Sequence, residues 1–373
     1  MRIKLINVGK PLMQNSRSLG LVPKGVHITV KRMWFVLVLL SVMGNLGTLL
    51  AEDSLLIVDH EAKFEQVFSG GFWLESPAVA PDGSVYFSDI PHTTVSGMQA
   101  GHIWRYDPRT GVTTIFRSPS GMANGIVFDA RGDMIVAEGA DFGGRRITHT
   151  EMNTGKSNTV AGLYNGNRFN APNDLTIDAR GRIYFTDPRY TGHEPIEQPV
   201  MGIYRIDPDG SVHLLAANLW QPNGLAVSPD QKTLYVVEVG IYNTNILEKP
   251  PVVGGPPSAV HAYELLDDGS LRYRNMVVTF PTGTWGDGMT VDREGNIYVG
   301  VGGPPGSNGV HIYTPSGQQI AFLETEETAV NLDFGRGTDA NLLYVVCARF
   351  PSGSGPWTPP SSNGLYRIRL RME

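Results

Sequence analysis

Six positions in the sequence carry side-chain oxygen atoms that could bind a metal cation. Each stands at a corner directly before a short apolar run, and the six are Glu75, Asn124, Asn173, Asn223, Asp287 and Asn331. Hard divalent cations prefer such carboxylate and amide oxygens, and Ca²⁺ takes about 6 to 8 of them. Ca²⁺ is therefore the favoured ion, with Zn²⁺, Mg²⁺ and Mn²⁺ as alternatives. A structural repeat that keeps polar turn residues at its corners is the competing explanation, although glutamate is a poor turn former.

A repeated hairpin positions these corner residues. Its clearest copy spans residues 172–187, where a Pro-Asn corner and an apolar run lead through an Asp-x-x-Gly turn into a second apolar run. Apolar runs joined by turn residues are typical of a β-hairpin. The hairpin occurs six times in all with a period of about 40 to 50 residues, which indicates a propeller or a solenoid. A third strand pattern follows every copy and a fourth follows most, so the propeller is favoured.

The two ends of the repeat region predict how the propeller closes. The sixth unit ends after its third strand, whereas residues 63–69 form a spare strand pattern before the first hairpin. If the spare strand completes the last blade, no open sheet edge remains. We therefore predict an all-β, six-bladed β-propeller formed by residues 54–373. The first strand of every blade then lines the central channel and brings the six corner residues to one axis, so we call them the polar ring.

Residues 1–51 predict a leader. Lys31 and Arg32 precede an apolar stretch that starts at Met33, and Ala51 precedes an acidic start. A basic segment, an apolar segment and a small residue are typical of a secretory signal peptide. The expected location is periplasmic or extracellular. Residues 33–51 are also just long enough to span a bilayer, so an uncleaved anchor is the alternative and would be the expected membrane contact.

Composition excludes several classes of function. The formal net charge is −6 and no block of Lys and Arg occurs, so a nucleic-acid partner is not expected. Cys347 is the single cysteine, which excludes an internal disulfide. The Gly-x-Ser-x-Gly, His-Glu-x-x-His and Cys-x-x-Cys motifs are absent from the sequence. Glu138 ends a second strand beside Gly139 and is a candidate substrate-binding residue, with a solvated acid as the alternative.

The chain from about Phe64 to Leu370 resembles the SMP-30/gluconolactonase family, in particular its bacterial gluconolactonase-like branch. The motifs that carry the resemblance are Ala123-Asn124-Gly125, Val136-Ala137-Glu138 with Arg145-Arg146, Asn170 to Asp174, Tyr184 to Pro188, Pro222-Asn223-Gly224 and Gly286-Asp287-Gly288. The resemblance implies a six-bladed propeller with a divalent cation in its channel. It also implies hydrolysis of a sugar lactone or a related ester.

The resemblance also assigns roles to residues. Glu75, Asn223 and Asp287 match metal ligands, and the aspartate at position 287 matches the general base. Asn173 matches a residue close to both metal and substrate. Ala171 stands where some relatives have a sugar-binding arginine, so the sugar is not specified.

The sequence therefore predicts a metal-dependent lactonase with a small-molecule lactone as its substrate. Asp287 is the expected catalytic base, and the expected metal ligands are Glu75, Asn173, Asn223 and Asp287. The expected substrate-binding residues are Asn124, Asn173 and Glu138. A propeller that binds a ligand without chemistry is one alternative, because a fold does not decide a function. An esterase or phosphotriesterase that uses the same metal site is another.

Overall fold

The computed structural model describes residues 3–4, 57–58, 62–91, 93–98, 100–240, 256–349 and 358–371. Apart from residues 3–4, the predicted leader lies outside the described residues and stays a prediction. The chain divides into two compact units, one of Met1–Ile6 with Ala62–Arg369 and one of Asn7–Glu61 with Leu370–Glu373. No helix in the described part of the chain is long and apolar enough to cross a membrane.

The larger unit is the predicted six-bladed propeller. Two strands precede the first blade in the sequence, β1 (Ile3–Lys4) and β2 (Glu65–Ser69). Blade 1 comprises β3 (Leu74–Val79), β4 (Val85–Asp89), β5 (His102–Asp107) and β6 (Val112–Arg117), with the short helix α1 (Thr93–Ser96) between β4 and β5. Blade 2 comprises β7 (Ala123–Phe128), β8 (Met134–Glu138), β9 (Arg146–Glu151) and β10 (Lys156–Ala161). A separate small hairpin follows, with strands β11 (Leu163–Tyr164) and β12 (Asn167–Arg168).

The remaining four blades follow the same antiparallel plan. Blade 3 comprises β13 (Leu175–Ile177), β14 (Ile183–Asp187), β15 (Gly202–Ile206) and β16 (Val212–Ala216). Blade 4 comprises β17 (Pro222–Val227), β18 (Thr233–Glu238), β19 (Ala259–Leu265) and β20 (Leu271–Thr279). Blade 5 comprises β21 (Trp285–Val291), β22 (Ile297–Gly302), β23 (Gly309–Tyr313) and β24 (Gln319–Glu324). Blade 6 comprises β25 (Thr328–Phe334), β26 (Leu342–Ala348) and β27 (Gly364–Arg369), with a 3₁₀ turn at Gly337–Asp339.

The predicted ring closure is confirmed. Strand β2, which contains most of the spare strand pattern, pairs antiparallel with β27 and becomes the outermost strand of blade 6. The inner strand β25 of blade 6 contacts β3 of blade 1, so the inner strands form a closed ring around the axis. Strand β1 pairs with β24 at the outer edge of blade 5, a contact that the sequence pattern did not predict.

The backbone conformation of the hairpin turns explains why most copies of the repeat have glycine at the last position of the turn. Gly83, Gly132, Gly181 and Gly295 end these turns with φ of 84°, 85°, 77° and 85°. Glycine adopts this left-handed conformation without a steric penalty. In blade 4 the equivalent conformation is adopted by Gln231, with φ of 61°.

The hydrophobic core lies between neighbouring blades. Between blades 2 and 3, Ile135 and Ile147 belong to one buried cluster with Phe185 and Tyr204. Both faces of the inner and second strands are therefore buried, which accounts for their nearly continuous apolar runs. This packing fixes the blades and holds the channel residues in place.

A candidate metal centre and its cavity

Irregular strand pairing directs the polar ring into the channel. In blades 2, 4 and 5 the register of the inner strand shifts, so Asn124, Asn223 and Asp287 have no partner residue in the strand ladder. Such bulges bend a strand and re-aim its side chains. In blade 6 the shift falls one residue earlier, between Ala329 and Asn331, and Asn331 pairs with Val346. Asn331 therefore sits differently from Asn124, Asn223 and Asp287.

The glycine after a ring residue allows adjacent inner strands to approach. A Cβ atom on Gly125 would lie 2.6 Å from the carbonyl oxygen of Asn173, and the amide of Gly125 donates to that oxygen at 2.7 Å. A Cβ atom on Gly224 would lie 2.5 Å from the carbonyl oxygen of Asp287. Both distances are shorter than a carbon–oxygen contact allows, so glycine is required at these positions. The Asn-Gly and Asp-Gly pairs thus connect the ring residues of successive blades.

Five ring residues line one cavity. Its volume is about 410 Å³, and its walls include Glu75, Asn124, Asn173, Asn223 and Asp287. This volume falls in the range of about 300 to 1,000 Å³ that is typical of small-molecule sites. The structure therefore brings together side chains that are widely separated in the sequence, as the repeat predicts. The roles assigned to them remain predictions.

Asn331 lines a different opening of the channel together with Asp174 and Ser76. Its Nδ2 atom lies 3.0 Å from Ser76 Oγ, 3.4 Å from Asp174 Oδ2 and 3.5 Å from Glu75 Oε2. Asp174 is 6% exposed, and the amide of Leu175 donates to its Oδ1 atom at 2.8 Å. Sequence reasoning gave Asp174 no role. Its position directly after Asn173 in a Pro-Asn-Asp corner was the signal that could have identified it.

Glu75, Asp174 and Asp287 are buried carboxylates that lie close enough for the charge of one to raise the pKa of another. Burial, with added repulsion from Asp174, raises the pKa of Asp287 to about 7, although the Asn223 side chain partly offsets the increase. Burial also raises the pKa of Glu75 well above its usual value, and the charges of Asp287 and Asp174 raise it further. Burial raises the pKa of Asp174 to about 6. A cation held among these groups would remove both the repulsion and part of the burial cost.

Neutral hydrogen-bonding groups orient two of the ring side chains. Trp73 Nε1 donates to Glu75 Oε1 at 3.1 Å. Asn223 Nδ2 donates to the hydroxyl oxygen of Tyr190 at 3.2 Å, and Tyr190 donates to the carbonyl of Gln221 at 3.4 Å. With its nitrogen directed to Tyr190, Asn223 leaves its Oδ1 atom as the acceptor for a ligand. Sequence reasoning did not identify Tyr190, because the loop after β14 has no repeat pattern.

A buried network supports the corner that carries Asn173. Asp187 accepts hydrogen bonds from the amides of Asn170 and Ala171, both at 2.8 Å. The guanidinium groups of Arg145 and Arg189 both donate to the carbonyl of Asn170, at 3.2 and 3.0 Å. Burial raises the pKa of Asp187 to about 7, while the amide bonds and the nearby arginines lower it. These contacts hold the backbone before Asn173 in one position.

The donor set fits a hard divalent cation. Two residues with carboxylates, Glu75 and Asp287, and two with side-chain amides, Asn173 and Asn223, line the same cavity. Oxygen ligands of this kind suit Ca²⁺, Mg²⁺ or Mn²⁺. The Oδ1 atom of Asn124 is buried and has no hydrogen-bond partner among the described residues. It is an unpaired acceptor in a residue that lines the cavity.

Glu138 does not reach this cavity in the structure. Its Oε2 atom accepts from Arg146 Nε at 2.7 Å, its Oε1 atom accepts from Thr148 at 3.3 Å, and the residue is 3% exposed. Its neighbour Gly139 lines the cavity instead. The structure therefore places the Glu138 side chain in an ion pair with the partly exposed Arg146 rather than in the wall of the cavity with Asn124 and Asn173.

A second group of possible metal ligands lies away from the polar ring. Asp129, Asp133 and His149 have ligand atoms within 4.8 Å of one another. The guanidinium of Arg131 already lies 3.5 Å from Asp129 and 3.4 Å from His149. A positive charge is therefore present at this cluster without a metal ion.

A closed six-bladed propeller with two acidic and three asparagine residues in the wall of one cavity defines the class of this protein. Residues 73–349 match the family described as the SMP-30/Gluconolactonase/LRE-like region. The chain belongs to this family. It is 31% identical over 288 residues to a gluconolactonase of Zymomonas mobilis, an alignment that covers 72% of this chain and 74% of that protein.

Two solved structures extend the comparison. A gluconolactonase from Xanthomonas campestris superposes with a TM-score of 0.65 at 25% identity, covering 85% of this chain and 95% of that one. A calcium-binding regucalcin from Agrobacterium tumefaciens superposes with a TM-score of 0.59 at 20% identity, covering 82% of this chain and 93% of that one. The similarity to the regucalcin shows only that the two proteins share a fold. The family and the gluconolactonases to which this chain is similar support a hydrolase of the lactonase type.

Proposed function

We propose that this protein is a divalent-metal-dependent lactonase. The supporting observation is that Glu75 and Asp287 share one cavity with the amide side chains of Asn173 and Asn223. A binding module without chemistry has no need for two buried carboxylates whose pKa values are both raised by burial and by the charge of Asp174. We take a sugar lactone such as gluconolactone, which opens to the aldonic acid, as the reference substrate because the similar proteins include a gluconolactonase.

Glu75, Asn173, Asn223 and Asp287 are the proposed ligands of the cation, with Ca²⁺ as the first choice. When bound, the ion supplies Lewis acidity that polarises the lactone carbonyl and stabilises the negative charge of the tetrahedral intermediate. Trp73 and Tyr190 orient Glu75 and Asn223 by hydrogen bonds. Asn124 offers its free Oδ1 atom to a hydroxyl or water beside the substrate.

Asp287 is the proposed general base. It takes a proton from the attacking water as a C–O bond forms at the carbonyl carbon. The bond from that carbon to the ring oxygen then breaks, and the proton passes to the departing oxygen, which gives the hydroxy acid. General-base assistance is typically worth about 10²- to 10⁴-fold. Asp287 is also a proposed metal ligand, so it can accept this proton only through an oxygen atom that does not bind the cation.

The test is a chelator-controlled assay on purified protein. We expect hydrolysis of a lactone to disappear with excess chelator and to return with Ca²⁺ or Mn²⁺, and Asp287→Ala to abolish it under every condition. The control is Arg131→Ala, at the separate acidic cluster, which is expected to retain activity. Full activity in excess chelator would refute the metal role. Hydrolysis of aryl esters or phosphotriesters with no lactone activity would favour the esterase alternative, and metal binding without turnover would favour a binding module.

Export to the periplasm or the medium is also part of the proposal, and it rests on residues 33–51. Fractionation of cells that express the full chain, followed by mass analysis of its N-terminus, tests this point. Protein found in the cytoplasm with residues 33–51 intact contradicts it.

A further inference from the structure

Besides Trp73, which donates to Glu75, five large apolar side chains line the cavity. They are Ile90, Met122, Pro172, Val239 and Trp285, and we call them the apolar collar. Each belongs to a different blade, from blade 1 to blade 5. Met122 and Trp285 stand two residues before their ring residues, and Pro172 stands one residue before its own. Ile90 and Val239 instead follow the second strands β4 and β18, so the collar is drawn from two places in the repeat.

The polar groups of the cavity are few once the proposed ion ligands are set aside. Asn124, Tyr190 and Thr191 remain, together with the indole N–H of Trp285. The Tyr190 hydroxyl already bonds to Gln221, and the indole N–H of Trp73 bonds to Glu75. Among the described residues, no arginine, lysine or histidine lines the cavity. Ala140 and Ala171 form further parts of the wall. The described lining residues thus offer few hydrogen-bonding groups to replace the water that a polyhydroxylated lactone loses when it binds.

We propose that the preferred substrate is a lactone that carries an apolar alkyl or aryl group. This inference rests on the proposed lactonase function and specifies its substrate class. The ester group faces the polar ring, and the apolar group packs against the collar. An added methylene in an apolar pocket is worth about tenfold or more in kcat/KM. A hydroxyl that loses water without gaining a partner lowers affinity by about tenfold.

The first experiment compares δ-valerolactone, δ-decalactone and glucono-δ-lactone on the wild-type protein with saturating Ca²⁺. We expect kcat/KM for δ-decalactone, which carries a pentyl group, to exceed that for δ-valerolactone by at least about tenfold. The value for glucono-δ-lactone should not exceed that for δ-valerolactone. A higher kcat/KM for glucono-δ-lactone than for δ-decalactone overturns the inference. No metal-dependent hydrolysis of any of the three lactones refutes the proposed function instead.

A second readout does not depend on turnover. We expect calorimetry to show that 6-pentyl-δ-valerolactam, whose amide bond resists hydrolysis, binds at least about tenfold more tightly than δ-valerolactam, with a negative heat-capacity change. Equal affinities overturn the inference even if lactones are hydrolysed. If the protein binds the pentyl lactam more tightly but hydrolyses no lactone, the apolar binding site is supported and the proposed lactonase function is refuted.

Val239→Thr tests the collar directly, because it adds a hydroxyl to the wall at nearly constant volume. We expect the kcat/KM ratio of δ-decalactone to δ-valerolactone to fall about tenfold. The matched control is Val127→Thr, a half-buried valine that does not line the cavity, which should change this ratio less than twofold. Ala171→Leu, which narrows the cavity, should also lower the ratio. Equal ratios in the wild type and both cavity variants overturn the inference.

Discussion

Without a cation at the polar ring, we expect the free energy of unfolding to fall as the pH rises. Burial and the neighbouring Asp174 raise the pKa of Asp287 from 3.8 to about 7 in the ion-free fold. Because the folded-state pKa is higher than the unfolded value, the folded state binds more protons between these pH values. The free energy of unfolding therefore falls as the pH rises from about 4 to about 7 and stays low above that.

The size of the effect follows from the shift. Each unit of pKa corresponds to about 1.4 kcal/mol, so Asp287 alone accounts for roughly 4 kcal/mol in ion-free protein at pH 8. Glu75 and Asp174 shift in the same direction, which adds to the loss. For a propeller of about 300 residues, 1 kcal/mol changes Tm by roughly 1.5 °C. We therefore expect saturating Ca²⁺ to raise Tm by about 5 °C or more at pH 8.

The assay is thermal unfolding of chelated and Ca²⁺-loaded protein at pH 5.5 and pH 8. The Ca²⁺-induced increase in Tm should be smaller at pH 5.5, because the ion must displace protons from the carboxylates. Asp287→Asn is the key variant, since it should raise the Tm of the ion-free protein at pH 8 and reduce the Ca²⁺ effect. The reasoning is refuted if Ca²⁺ leaves Tm unchanged at pH 8, or if Asp287→Asn responds to Ca²⁺ as the wild type does.

Three further predictions address individual residues. Asn223→Ala should weaken Ca²⁺ affinity by about 10- to 100-fold, because one ligand oxygen is lost; calorimetric titration measures this, and an unchanged affinity contradicts the assignment. Asp174→Asn should move the acid limb of the kcat/KM–pH profile to lower pH by roughly half a unit to one unit. The reason is that the variant removes a negative charge that raises the pKa of Asp287. A shift of the acid limb to higher pH contradicts this account. Glu138→Gln should lower the free energy of unfolding by about 1 to 2 kcal/mol through its weakened pair with Arg146, while KM changes less than threefold; a large rise in KM would restore its predicted role in substrate binding.

The sequence predicted the architecture because the repeat is carried by strands and turns. The hairpin period indicated six blades, and the unpaired pattern at residues 63–69 indicated how β2 completes blade 6. The polar corners also predicted five residues that share the cavity, since equivalent positions in a propeller face one axis. These features depend on periodicity, which survives in the amino-acid pattern.

The direction of single side chains was less predictable. Asn331 occupies the same place in the repeat as Asn223, but the register shift in β25 falls one residue earlier and leaves it beside Asp174. Glu138 follows the same strand pattern as Glu238, and its pairing with Arg146 depends on the adjacent strand. Strand bulges and cross-strand partners are set by packing between blades, which the repeat pattern does not encode.

The most direct test of the central proposal is a crystal structure of the protein soaked with Mn²⁺, with anomalous scattering used to locate the metal. We predict one strong anomalous peak on the propeller axis, within bonding distance of Glu75, Asn223 and Asp287. A peak at Asp129, Asp133 and His149 with none on the axis, or no bound metal at all, would contradict it.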